Sequence, residues 1–507
     1  MMRLFRAIKR VFVGERPKLK VWNTGYDQYG ASTAKRVMQG WVTRSGDPDA
    51  DIVKNLGKLR ERSRDLYMGV PLATGALKTI KTNVVGSGLM PNATIKGDIV
   101  GLTDDERAAW EQKAENLWAY WAGSNECDIR RMHTMGTLQG LALLSVLMNG
   151  DAFILLPYVD EPGAMFALRV RLLEGDRVDD PRPKPKDADI AGGVEVDENG
   201  KPIAYYVANK HPGGGKGQVE FVRVPVFGEK TGRKNILHLM DPERIDQRRG
   251  VPILAPVIES LKQLGRYTEA ELIAAVINGF FTVFVKSPAP IDAFQAFSDT
   301  EQIDGANDGT LELGSGAIVG LAPGEEIQIA DPSRPNRNFD SFVTAICRQI
   351  GAALEIPFEV LMKHFTASYS ASRGALLEAW KMFRAKREWL VKSMCQPIYE
   401  EFIAEAVAKG YLEAPGFFDD PLIRWAYTRA EWYGPSQGQL DPLKEVKAAK
   451  MRVEEGFSTR AKETAELSGG DFDTYNVQRA KEEQMRRAAG LTGAEGYGID
   501  DGEDEVD

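Results

Sequence analysis

The sequence is short of the residues that do chemistry. Of 507 residues only three are cysteine and four are histidine. Cys127, Cys347 and Cys395 lie far apart and are odd in number, so neither a metal spacing nor a disulfide framework can be read from them. A reducing cytoplasm is the expected place of synthesis. His133, His211, His238 and His364 read as isolated, and the HExxH pair of a zinc protease is missing. So is the G-x-S-x-G elbow of a serine hydrolase. Two glycine–lysine stretches, GGGKG at 213–217 and GEKTG at 228–232, lack the spacing of a phosphate-binding loop and read as surface turns. Carboxylates are plentiful, but sequence alone pairs none of them convincingly. No catalytic, cofactor or metal residue is therefore expected. No run of about 18 apolar residues occurs, so no membrane helix is expected. The basic N-terminus, MMRLFRAIKRVFVGERPKLK, lacks the apolar core and cleavage site of a signal peptide and reads as a surface helix or arm. A net charge of -9 argues against a general nucleic-acid binder, yet leaves room for a surface that DNA passes without sticking.

What is present is helical periodicity. Across 250–285, Leu254, Val257, Leu261, Leu264, Tyr267, Ala270, Ala274, Ile277 and Phe281 recur every three or four residues. Pro252 and Pro256 fit only a first turn. Glu259, Lys262, Arg266 and Glu269 give the first half a polar back. Leu272, Ile273 and Val276 fill that side in the second half, so the helix is expected to end enclosed, by its own domain or by neighbouring copies.

Around this helix the chain reads as α+β. Residues 1–50 read as an arm. Helices are expected from Asp51 and after Pro71, and a third after Thr103-Asp104-Asp105-Glu106, where acidic residues suit the helix dipole. That helix carries Trp110, Leu117, Trp118 and Trp121 as core. The helix at 134–149 is apolar through Leu138, Leu141, Leu144 and Leu147 and should be buried. Residues 152–245 alternate short strands with turns, and Asp197-Glu198-Asn199-Gly200 is a hairpin signal. A second β-rich piece spans roughly 282–331, with strands at 282–286, 317–321 and 327–329. An amphipathic helix follows through Phe339, Phe342, Val343, Ile346, Ile350 and Ala353. The polar stretch 363–370 reads as a loop, and Ser370 or Ser372 as the cap of a long helix that Pro397 should kink. Residues 411–440 read as aromatic and irregular. Three charged helices follow, with Asp441, Ser458 and Asp473 as caps. The acidic tail 491–507 reads as disordered.

Several separate segments resemble the lambda-type portal proteins of tailed bacteriophages. They include RERSRDLYMGVPLATGALKTIKTNVVGSGL at 60–89, NECDIRRMHTMGTLQGLALLSVLMNGDAFI at 125–154 and MDPERIDQRRGVPILAPVIESLKQLGRYTEAELIAA at 240–275. The stretches at 314–361 and 368–390 add to these, and the likeness covers roughly 50–490 in the expected order. The resemblance implies a mostly helical fold assembled as a dodecameric ring at a capsid vertex. Double-stranded DNA would be pumped in through its channel by terminase and would leave toward the tail. The parts it implies are a wing (51–250 and 373–440), stem helices (251–281 and 336–356) and a clip (282–335). A channel loop (357–372) and a crown (441–490) complete them. It also implies, as partners, the major capsid protein, terminase and a head–tail adaptor, with the virion as location and no membrane. Lys363, His364, Thr366, Ser368, Ser370 and Arg373 become candidates for DNA contact. Leu272, Ile273 and Val276 become candidates for the contact between subunits. The alternatives are another structural phage head or tail protein, or a capsid-associated nuclease or protease.

Overall fold

The computed structural model describes residues 30–32, 35–214, 218–279, 283–286, 326–329, 339–366, 368–439 and 441–491. The expectations for most of the N-terminal arm, for the strand at 317–321, for Phe281 and for most of the tail lie outside the described residues. Residues to Asp47 form a unit of their own, with one 3₁₀ turn at Arg36–Met38.

The second unit opens with two helices, α1 (Pro48–Gly69) and α2 (Pro71–Val84). Pro71 stands at the first turn of α2, where its missing N–H costs nothing. The buried face of α2 is Ala73, Ala76, Leu77, Ile80 and Val84, one stripe at helical spacing. After strand β1 (Met90–Ala93) come a short α3 (Gly97–Val100) and α4 (Asp104–Gly123). Thr103 caps α4 in a reciprocal box with Glu106, as its sequence suggests. Helix α5 (Met135–Asn149) is mostly buried, but Leu141 faces solvent, against expectation. Thr137, one turn earlier on the same side, is exposed as well.

The β-rich section is two antiparallel sheets. In the first, β2 (Asp151–Leu155) lies between β3 (Arg171–Glu174) and β8 (Ile236–Met240). The second runs β4 (Asp189–Ala191), β5 (Val194–Val196), β6 (Pro202–Ala208), β7 (Phe221–Pro225) in order. The Asp197–Gly200 turn joins β5 to β6, and Gly200 takes the positive φ such a turn requires. Phe153, Leu173, Val194, Tyr205 and Ile236 share a small core between the sheets.

A 3₁₀ turn at Ala255–Val257 leads into α6 (Ile258–Gly279), so the long helix starts later than its prolines suggested. Strands β9 (Val283–Lys286) and β10 (Glu326–Ile329) pair antiparallel. Then follow α7 (Phe339–Ala353), a short α8 (Phe358–Met362) and α9 (Tyr369–Leu390). Ser368, not Ser370 or Ser372, caps α9 by accepting from the Ala371 N–H. The kink expected at Pro397 takes the form of a π-helical turn, Val391–Cys395, ahead of α10 (Gln396–Ala408). Widening the ladder accommodates a residue that cannot donate.

Residues 411–440 are more regular than their composition implied. They hold α11 (Pro421–Tyr427) and β11 (Ala430–Tyr433), which pairs with β1 from the far end of the chain. Trp118 is the hub of the main core, with rings of Trp121, Tyr399, Phe402 and Trp432 5.2–5.8 Å away. The last three helices are α12 (Pro442–Glu454), α13 (Arg460–Ser468) and α14 (Phe472–Ala488). Their caps are Asp441, Thr459 and Asp471, the last two replacing Ser458 and Asp473. Ser458 is unsuited because its own N–H still closes the Arg452 carbonyl of α12.

Candidate functional site

The long helix α6 is tied to the sheets at its base. Gly150 and Gly250 approach so closely that a Cβ on Gly250 would fall 1.9 Å from the Gly150 carbonyl oxygen. No other residue fits there without moving the backbone. Beside this contact Asp151 is wholly buried. Its carboxylate accepts from Arg60 Nη2 at 2.7 Å, Arg249 Nε at 2.6 Å and the Gly250 N–H at 3.2 Å. Arg60 also donates to the Asn149 carbonyl, and Arg249 to those of Val178 and Gly175. Burial opposes the charge on Asp151, yet Arg249 and Arg60 hold its carboxyl well below the ordinary range. Burial brings Arg60 down to about 10 and also lowers His238, against the pull of the Asp151 carboxylate 3.6 Å from its ring. Sequence reading missed this cluster. Its members lie up to 189 positions apart, and its one local signal is a charge on each side of the paired glycines.

Beyond the base, α6 leaves the core. Leu254, Val257, Leu261 and Leu264 are buried. Tyr267 packs on Phe339 and Phe342 of α7. Leu272, Ile273 and Val276 are then 66%, 52% and 52% exposed. Among the described residues, α7 packs on α6 through Tyr267 and leaves these three side chains exposed.

The candidate loop splits in two. Lys363 ends α8 in a left-handed conformation, and the His364 N–H returns to the Glu359 carbonyl. Lys363, His364, Thr366 and Ser368 are exposed, together with Phe365, which the sequence reading passed over. Ser370 is exposed on the first turn of α9 rather than in the loop. Arg373 is elsewhere. It lines a cleft between α9 and α12–α13 with Arg384, Lys444, Arg452 and Glu466, and none of the loop residues lines that cleft.

The histidines are not all isolated. His211 Nε2 lies 3.2 Å from Glu174 and 3.9 Å from Asp176. The Gly213 N–H donates to Nδ1, so a neutral ring carries its proton on Nε2, pointed at Glu174. Arg64 also pairs with Asp176. This is the one group among the described residues with metal-ligand spacing. The thiols are not poised for nucleophilic work either. All three are buried, and burial pushes Cys127 up to about 12 and raises Cys347 and Cys395.

The chain is similar to portal proteins of several phages. A portal protein of Escherichia phage N15 is 24% identical over 90% of this chain and 89% of its own length. Portal protein B of Escherichia phage lambda is 23% identical over 90% and 88%. A probable portal protein of Halomonas phage phiHAP-1 is 26% identical over 83% and 79%. Among solved structures, the neck of an empty gene transfer agent particle overlays with a TM-score of 0.44 at 13% identity, covering 81% of this chain and 92% of the other. The family described as phage portal protein, lambda family, matches residues 34–387. By that match, which spans most of its length, the chain belongs to the lambda family of phage portal proteins.

Proposed function

We propose that copies of this chain close into a dodecameric ring at one capsid vertex. Terminase drives double-stranded DNA through the axial channel, and the DNA later leaves through a head–tail adaptor. One observation supports assembly most directly: the stripe Leu272, Ile273, Val276, more than half exposed in the single chain. Full burial of such side chains is worth about 1.5–3 kcal/mol each, so covering what is still exposed is worth on the order of 1 kcal/mol each. A contact repeated around an axis joins two different faces of each copy, so α6 of one copy would lie against a different surface of the next. In this arrangement α6 and α7 are stem helices, and residues 282–335 form a clip that meets terminase first and the adaptor afterwards. The wing is 51–250 with 373–440 and seats against the major capsid protein, and the crown is 441–490.

The channel loop is 357–372, and Lys363, His364, Phe365, Thr366 and Ser368 are exposed within it. The hydroxyls of Thr366 and Ser368 can touch phosphates without reading sequence, and Lys363 supplies charge once per subunit. Ser370 stands at its margin, and Arg373 is assigned to the crown-facing cleft instead. The test is packaging of a full-length genome into capsids carrying Lys363→Ala with His364→Ala. Rings should form normally, while packaging or retention of DNA changes with a salt dependence typical of phosphate contacts. Normal packaging and retention across the salt series would remove these residues from the channel.

A further inference from the structure

Away from the stem and loop, the sheets hold a pocket of about 380 Å³ with charge of one sign. It opens between β6, the β7–β8 connection and the π-helical turn. Lys201, Lys234 and Lys392 line it, and no carboxylate does. In a chain of net charge -9 that concentration stands out. Lys201 and Lys234 are brought together by Phe227. Lys201 Nζ lies 5.5 Å over its ring, and Lys234 is its bridge partner across the turn. The nearby Asp197 is occupied, because its Oδ1 accepts from the Asn199 and Lys201 N–H groups. None of the three ammonium groups has an ion-pair partner among the described residues.

The opposite wall is Lys392 with Ser393, both from the π turn. Such turns are rare and recur at functional sites, since the extra residue per turn re-aims side chains. Tyr205 and His238 also line it, the Tyr205 hydroxyl 3.4 Å from His238 Nδ1, beside the apolar Ile236 and Leu237.

We propose that this pocket binds phosphate groups, and that the backbone of duplex DNA supplies them. Three ammonium ions act as point charges on a group whose charge is spread over several oxygens. Ser393 adds a hydroxyl donor of the kind that contacts phosphate. No arginine lines the pocket, so the ammonium groups act on an anion as point charges without a bidentate fork, and the acidic-peptide probe below separates phosphate from carboxylate. Affinity for an anion follows from the pocket alone, whereas the choice of duplex DNA as its source rests on the portal reading.

The test uses the full-length protein and three probes: a short labelled duplex, inorganic pyrophosphate and a peptide of the acidic sequence GIDDGEDEVD. Lys201→Gln, Lys234→Gln and Lys392→Gln are combined in one variant. A control combines Lys54→Gln, Lys113→Gln and Lys186→Gln, which removes the same exposed charge elsewhere. Unchanged thermal midpoints and oligomeric state confirm that both variants fold and assemble as the parent does. The parent should bind the duplex, and pyrophosphate should compete. In the pocket variant the slope of log affinity against log salt should fall by about 2 to 3, and the control should keep the parental slope. Equal losses in both variants would overturn the pocket as a site. Competition by the acidic peptide but not by pyrophosphate would overturn phosphate as its ligand. Pyrophosphate binding without any effect on the duplex would overturn DNA as the source, whether or not rings form.

Discussion

Asp151→Asn should loosen the base of α6 more than any conservative change on the surface. The carboxylate is wholly buried and is the shared partner of Arg60 and Arg249. The amide keeps the shape, loses the charge and turns one acceptor toward a guanidinium as a donor. Removing one partner of a buried ion pair costs about 3–5 kcal/mol, because the other charge is left uncompensated. Two cations lose their partner here, but the carbonyls of Asn149, Val178 and Gly175 still hold them, so the estimate stays within that range. At about 1.4 kcal/mol per tenfold, amide exchange in β2 and β8 should accelerate by roughly two to three and a half orders of magnitude. Asp176→Asn is the comparison. Its pair with Arg64 is partly exposed, and its loss should cost about 1 kcal/mol or less. The pH dependence has a definite sign. A carboxyl held below its ordinary value stabilises the fold above the unfolded pKa, near 3.8, and the contribution is lost as pH falls below it. The asparagine variant should lack this acid-sensitive part. Acceleration below tenfold, or equal effects at Asp151 and Asp176, would refute the assignment of the cluster as a clamp.

Glu115 should act in the opposite direction. Burial, then Asp471, Glu111 and Asp473, push its carboxyl up to about 7, so its favourable contribution is complete below about 4.5 and is lost as pH rises through about 7. Thermal midpoints of Glu115→Gln should therefore vary less over that window than those of the parent. Gly250→Ala places a methyl carbon against the Gly150 carbonyl and should cost about 2 kcal/mol or more, read as a lowered unfolding midpoint.

Local features of this fold were legible because they are decided locally. The periodicity of α2 and α6, the Thr103–Glu106 cap and the Asp197–Gly200 turn each depend on neighbours a few residues away. Caps slipped where two signals compete within a few residues. Ser368 and Ser370 are both good acceptors, and the backbone of the preceding turn decides between them. The pairing of β1 with β11 and the meeting of Arg60, Asp151 and Arg249 were not legible, since each joins distant segments whose local patterns do not name a partner. The same holds for the candidate loop. Lys363 and Arg373 are close in sequence, but α9 begins between them and carries Arg373 to another face. The exposed end of α6 was legible as an anomaly, an apolar face without a polar back. A single chain leaves that anomaly standing.

That face is where the account meets its most direct test. Purified protein should appear in electron micrographs as closed rings with an axial hole, with a mass that is a whole multiple of the subunit. Ile273→Asp lies on an exposed surface of the single chain, so it should leave secondary structure and thermal midpoint near parental while shifting the mass to that of free subunits. Parent protein that stays monomeric under assembly conditions, or rings unchanged by Ile273→Asp, would contradict assembly through this helix.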